Sequence, residues 1–269
     1  MIASLVNGIP GDQVSILDRG LQFGDGLFET LAVVNNQSCL WDAHMARLAA
    51  GCSRLGMRMP DVNLLAEESR SLIGDHQQAV LKIILTRGCS TRGYAVPADT
   101  PETRILSLFS WDGPTSQTLK INIASTRLGL NPQLAGLKHL NRLEQVMARR
   151  ELPSDCQESI LLDAQGRVVE GIAANLFLQQ EDQLKTPLLD ACGVAGVARQ
   201  LIMNTARAMN MPVEEMRLQP QDLLQADGLY LSSSLMGICS VSAIQGQNWQ
   251  ASRLSHPVME AASKRIFQP

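Results

Sequence analysis

The chain has 269 residues, 45% hydrophobic and 18% charged, with 23 basic and 26 acidic side chains for a net charge of −3. That length supports one large or two moderate domains with a substantial core, and the composition is that of an ordinary globular protein. The slight acidic excess, with no block of like charge, excludes a general nucleic-acid surface, which needs clustered basic residues. The first ten residues, MIASLVNGIP, have no basic lead, and Asn7-Gly8 and Pro10 interrupt their apolar run. This pattern predicts no secretory signal, and no apolar stretch approaches the roughly 20 residues that cross a bilayer. SLVNGIP predicts a strand with a hairpin turn, and FETLAVVNNQSCLW two strands around Asn35-Asn36. DAHMARLAAGCSRLGM predicts a helix capped by Asp42, with Met45, Leu48, Ala49 and Cys52 at helical spacing. LLAEESRSLI is a second amphipathic helix, after which AVLKIILTRG and TRILSLFSW return to β-rich composition.

GPTSQT, from Gly113, reads as a linker, which sets an N-terminal domain at 1–113, a linker at 114–117 and a C-terminal domain at 118–269. Beyond it LKINIAS is a strand and LKHLNRLEQVMARREL a helix. A meander follows through SILLD, VVEG, NLFLQ and QLKTP. GVARQLIMNTARAMN predicts a helix with an apolar stripe of Val197, Leu201, Ile202 and Met209. GLYLSSS is a strand, and PVMEAASKRIF a closing helix. Strands outnumber helices in both halves and helices come in blocks, so the expected class is α+β with mixed sheets and a ligand cleft between the domains. Six scattered cysteines form no C-x-x-C pair and lie at ligand spacing from no histidine. They predict no metal site and free thiols in a reducing cytoplasm.

Of the five lysines, Lys82 and Lys120 alternate with apolar residues in strands, Lys185 precedes a turn and Lys264 lies in a charged terminal helix. Lys138 differs: it follows an apolar Ala-Gly-Leu approach at the mouth of a predicted helix. A desolvated lysine is a neutral nucleophile of the kind a Schiff base requires, whereas most lysines at helix entrances are simply solvated. Glu170 ends the strand VVEG, where a buried carboxylate can hold a pyridine nitrogen protonated. Gly196-Val197-Ala198 opens a helix whose free N–H groups and dipole suit a phosphate dianion.

The segment EGIAANLFLQQEDQLKTPLLDACGVAGVAR, from Glu170 to Arg199, resembles the signature of the class IV aminotransferase family, the fold-type-IV pyridoxal phosphate enzymes. Glu170, Asn175, Leu184-x-Thr186 and Val194-x-Gly196-Val197-x-Arg199 carry the match, and LDRGLQFGDGLFET and the lysine segment extend it along the chain. The resemblance implies a two-domain fold related to D-amino acid aminotransferase, with pyridoxal 5′-phosphate in the interdomain cleft and a homodimeric assembly. It implies Lys138 as the covalent lysine and a cofactor set of Glu170, Arg47, Asn175, Gly196, Val197, Ala198, Ser234 and Leu235. Outside the family, Arg47 reads as a surface helix arginine and the serines after GLYL as a polar loop.

Branched-chain members read F-E-G-I-R where this chain reads FETLAV, and D-amino acid members carry Arg-x-His where it has Arg92-Gly93-Tyr94. KHLNRLEQV, FGDGLFET and TRGCSTRGY instead resemble the family's lyase branch, whose members aromatise an amino-cyclohexadiene by eliminating an enolpyruvyl group. That branch implies Thr30 as a second catalytic group and Arg92 and Tyr94 as substrate contacts, with Arg104 a weaker one. Thr30 is also an ordinary strand residue, and Tyr94 also fits a packed loop aromatic. Glu29 falls on the opposite strand face from Thr30 and stays outside the predicted site. The four histidines form no triad. The alternatives are a D-amino acid or branched-chain aminotransferase and a cofactor-binding protein without catalysis.

Overall fold

The computed structural model describes residues 1–96, 100–114, 118–211, 213–244, 246–248 and 256–268. The chain divides into two units, one of residues 1–113, 138–141 and 267–269, the other of residues 114–137 and 142–266. Of the predicted linker, residues 115–117 lie outside the described residues.

In the first unit, Asn7 and Gly8 take positive φ (52° and 80°), the requirement of a tight two-residue hairpin. They fold β1 (Ala3–Val6) onto β2 (Ile9–Pro10). Helix α1 (Arg19–Phe23) is capped by Asp18, whose carboxylate accepts from Gly20 N. β3 (Gly26–Val34) turns at Asn35 and Asn36, again at positive φ, into β4 (Gln37–Ser38). Helices α2 (Trp41–Leu55) and α3 (Val62–Ile73) precede β5 (Gln78–Thr86) and β6 (Thr103–Ser110). Asp42 does not cap α2: the cap is Leu40 in the left-handed region, and Asp42 sits in the first turn, where its charge complements the helix dipole.

This sheet runs β2-β1-β6-β5-β3-β4, with every pairing antiparallel. Alternation along β3 and β5 buries Leu27, Leu31, Val33, Leu81, Ile83 and Leu85 on one face, with Ala32 also buried on the other. Phe28, Thr30 and Lys82 fall on the other, less buried face.

The second unit comprises β7 (Thr118–Leu128), α4 (Leu143–Arg150), β8 (Glu158–Asp163), β9 (Val168–Gly171), β10 (Asn175–Gln180) and β11 (Gln183–Pro187). It continues with α5 (Val197–Ala208), β12 (Val213–Met216), α6 (Pro220–Leu224), β13 (Gly228–Ser233), β14 (Gly237–Ile244), β15 (Gln247–Asn248) and α7 (Pro257–Ser263). The sheet order is β12-β11-β10-β13-β14-β7-β8-β9, with β15 paired to β14. Parallel pairs β11/β12, β14/β7 and β7/β8 make it mixed, so mixed pairing is confined to this unit. Its core gathers Ile160, Leu176, Leu178, Leu229, Leu231 and Val241.

Two helices differ from expectation. α4 begins only at Leu143, so Lys138 lies in an extended segment before it. There Lys138 O accepts from Phe28 N and Leu140 N donates to Gly26 O, and this backbone pairing with β3 overrides the helical pattern of the side chains. The buried stripe of α5 is Val197, Ala198, Ile202, Thr205 and Ala206. Met209 follows the helix and is exposed.

Candidate active site

Lys138 reaches its place through β3. Residues 138–140 bond to Gly26 and Phe28 across an isolated antiparallel bridge, and Asn141 Nδ2 donates to Gly24 O at 3.1 Å. The Lys138 ammonium lies 4.3 Å from the centre of the Phe28 ring, within cation–π range. Thr30 shares that strand face with Phe28. Lys82 stands directly across from Thr30 in the β3–β5 register, and its Nζ is 5.5 Å from the same ring. Alternation with apolar residues marks Lys82 only as a strand-surface lysine. Its proximity to Lys138 through Phe28 depends on a strand pairing that the local pattern does not contain.

On the opposite face of β3, Glu29 is fully buried and meets two residues of α2. Arg47 Nε donates to Oε1 at 2.8 Å, and Arg47 Nη2 donates to Oε2. His44 Nδ1 donates to Oε2 at 2.6 Å. Burial presses Glu29 toward the neutral acid, but the charge and hydrogen bonds of Arg47, with the hydrogen bond of His44, hold its carboxyl below the usual range. Burial pushes the His44 imidazole pKa down, and Glu29 offsets this only in part. His44 is therefore a satisfied structural histidine. Glu29 does face away from Thr30, yet it holds the arginine expected at the phosphate.

In the second unit, Glu170 and Asn175 grip one residue from both sides. Val194 N donates to Glu170 Oε2 at 2.8 Å, and Asn175 Nδ2 donates to Val194 O at 2.8 Å. Gly136 N donates to Gly193 O and Ala195 N to Gly136 O, so the Ala-Gly-Leu approach is laddered onto the same strip of backbone. That strip runs into α5, whose N-cap Gly196 offers no side-chain cap. A Cβ on Gly196 would lie 2.0 Å from Asn175 Oδ1, so the position accepts only glycine without a shift. The first N–H groups of α5 have no intrahelical acceptors, as at any helix start.

Two further acids and bases support this strip. Glu158 accepts from Ser159 N and Ile172 N through Oε1 and from Ala173 N through Oε2, which fixes the turn joining Glu170 to Asn175. Burial raises its pKa against the pull of those amides. Burial also lowers the pKa of Arg142, while Glu170 and Glu144 act to raise it. Neither residue stands out in the sequence, because each matters through residues distant along the chain.

The structure disposes of the remaining positions plainly. Ser234 and Leu235 lie in the turn after β13. Arg199 donates to Pro187 O and Glu215 and so ties α5 to β11 and β12. Arg92 is exposed, and Tyr94 is 84% exposed with its ring 5.4 Å from that of Phe23. Arg104 is committed to Glu68 through Nε and Nη2, at 3.2 and 2.8 Å, which removes it as a substrate contact. Among the described residues no group of three acidic, histidine or cysteine side chains is placed to hold a metal, and no helix is long and apolar enough to cross a membrane.

These features fit pyridoxal phosphate. Glu170 is a buried carboxylate already oriented by a backbone amide, and the Gly196 cradle leaves a helix start open to an anion. Ser232 Oγ, opposite Asn175 in the β10–β13 register, is buried without a hydrogen-bond partner among the described residues. The Amino-transferase class IV profile matches residues 26–244. Aminodeoxychorismate lyase of Vibrio harveyi is 33% identical over 244 residues, covering 89% of this chain and 90% of that protein. D-alanine aminotransferase of Listeria monocytogenes is 26% identical over 239 residues, covering 87% and 83%. The crystal structure of 4-amino-4-deoxychorismate lyase from Pseudomonas aeruginosa matches with a TM-score of 0.89 at 38% identity, covering 98% of this chain and 97% of that one. The chain belongs to the class IV aminotransferase family and is a pyridoxal phosphate-dependent enzyme with the fold-type-IV, α+β architecture.

Proposed function

We propose that the enzyme is a lyase that converts 4-amino-4-deoxychorismate to 4-aminobenzoate and pyruvate. The observation that carries this reading is the group around Phe28: the Lys138 amine, the Thr30 hydroxyl on the same strand face, and the Lys82 ammonium across the strand. An aromatising elimination from a doubly anionic substrate needs a base, an acid for the leaving fragment and cationic charge, and this face offers all three. The relatives named as this lyase, at 33% and 38% identity, support the same reading over the aminotransferase at 26%.

Glu170 would hold the cofactor's pyridine nitrogen. Asn175, the Gly196–Ala198 backbone, Ser234, Leu235 and the Arg47 held by Glu29 would hold its ring and phosphate. Held at Lys138, pyridoxal phosphate would supply a conjugated ring able to draw an electron pair from the amino-bearing carbon. Lys138 Nζ, released from the cofactor when the substrate's amino group takes its place there, is then a neutral amine placed to take the proton from that carbon. The enolpyruvyl oxygen leaves the neighbouring ring carbon, and the ring becomes aromatic. The proton now on Lys138 Nζ passes by way of Thr30 Oγ to the enolpyruvate methylene, giving pyruvate. One proton leaves the substrate and one returns to the second product, so no keto acid is consumed. Lys82 and Arg92 supply positive charge to the two carboxylates, and Tyr94 lines the substrate. The reading places the enzyme in folate synthesis in the cytoplasm, as a homodimer.

Incubation of the purified protein with 4-amino-4-deoxychorismate and no keto acid is expected to yield equal amounts of 4-aminobenzoate and pyruvate. Absence of aminobenzoate, with brisk exchange between D-alanine and 2-oxoglutarate, would establish the aminotransferase instead.

A further inference from the structure

Arg19 is buried in α1 and takes no part in the chemistry above. Its Nε donates to Asp25 Oδ2 at 2.8 Å, and its Nη1 to Ser90 Oγ at 2.9 Å. Nη1 also reaches the carbonyls of Gly93 and Ala95, each at 3.3 Å, and Nη2 the carbonyl of Tyr94 at 3.2 Å. The guanidinium lies 5.0 Å from the Phe23 ring centre, and Phe23 in turn meets Tyr94. Three consecutive carbonyls thus converge on one planar fork, in a stretch that forms neither helix nor strand. A lysine, with a single point of charge, does not reproduce that pattern. Asp25 Oδ2 also accepts from Arg87 Nε at 2.8 Å, so one carboxylate serves two arginines and the carbonyl dipoles take up the remaining positive charge.

The location gives this clamp a consequence. The loop leaves β5 at Thr86, which pairs with Gly26, and Arg87 N donates to Asp25 O. Gly26 O accepts from Leu140 N, so the loop emerges at the end of the sheet that carries residues 138–141. We propose that Arg19 is a positioning residue: by fixing the backbone of Gly93–Ala95 it presents Arg92 and Tyr94 to the substrate and so sets substrate affinity. The proposal rests on the reading that this loop contacts the substrate carboxylates. Order in the loop is bound to Arg19 whatever the substrate.

The test compares Arg19→Met and Arg19→Lys with Arg92→Met and with the Arg19→Met/Arg92→Met double variant, all as cofactor-loaded enzyme. Amide hydrogen exchange across residues 89–96 is expected to quicken at least about tenfold in Arg19→Met and by less in Arg19→Lys, since local opening scales with the bonds that hold a segment. KM for 4-amino-4-deoxychorismate is expected to rise at least about tenfold with kcat within about threefold, because misplacing a binding group by about 1 Å costs up to ~10²-fold. Pyridoxal phosphate affinity should not move, and the double variant should show a KM no higher than Arg92→Met alone. Unchanged exchange overturns the proposal. So does a freed loop with an unchanged KM, or a joint collapse of kcat and cofactor affinity in both Arg19 variants. If the wild type does not turn over this substrate, the lyase reading fails. Exchange then still decides whether Arg19 fixes the loop, and the KM of the amino acid that is turned over decides the rest.

Discussion

A buried carboxylate with two basic partners on one helix behaves differently from either partner alone. Glu29 stays ionised because Arg47 and His44 outweigh its desolvation, and His44 stays neutral because burial outweighs Glu29. The folded pKa of His44 lies below its ordinary value near 6.5, so its contribution to stability is complete above that pH and is lost as pH falls through the window beneath it. Glu29, with its pKa also lowered, remains charged through that window and loses its contribution only in stronger acid. Thermal stability should therefore fall as pH drops below about 6.5, by at most about 1.4 kcal/mol per pH unit from this group. A His44→Gln variant should show a flatter dependence over the same range. Identical slopes would contradict the assignment. At this scale the sequence is partly legible. Alternation along β3 separates Glu29 from Thr30, but the bond from Glu29 to Arg47 joins a strand to a helix and has no local signal.

Elements with sharp ends were readable where turn chemistry marks them. Asn7-Gly8 and Asn35-Asn36 adopt the positive φ that their residue types allow. Patterns failed where burial or pairing removes the periodic signal. β14 is buried on nearly every residue and lies inside the second sheet, so it shows no alternation and escapes detection. The lysine segment has helical spacing but spends its backbone groups on β3. In the proposed function the start of α5 holds the cofactor's phosphate. Gly196 has φ −65°, open to any residue, so only the 2.0 Å approach of Asn175 Oδ1 forbids a side chain. Gly196→Ala should cost about 1–3 kcal/mol of stability by overpacking. It should also weaken pyridoxal phosphate binding at least about tenfold, since the helix start must shift from its anion-binding geometry. Equilibrium dialysis against the cofactor, beside a thermal melt, measures both. Unchanged affinity would show that the phosphate lies elsewhere.

Across the whole molecule, the Glu170–Arg199 signature identified the family and its cofactor from residues that recur at fixed spacing. In the structure those spacings correspond to one physical unit: Glu170 and Asn175 on either side of Val194, and Gly196 at the helix start behind them. Lys138 and Thr30 were paired only through the family resemblance, and Lys82 beside Phe28 was not legible, because it joins the group through the pairing of two strands. The proposed function rests on Lys138 as the residue that bonds the cofactor. Borohydride reduction of the pyridoxal phosphate-loaded enzyme, followed by peptide mapping, tests this directly. The pyridoxyl group should appear on Lys138, and Lys138→Ala should take up none. A label on Lys82, Lys120, Lys185 or Lys264, or one that survives in Lys138→Ala, would contradict the account.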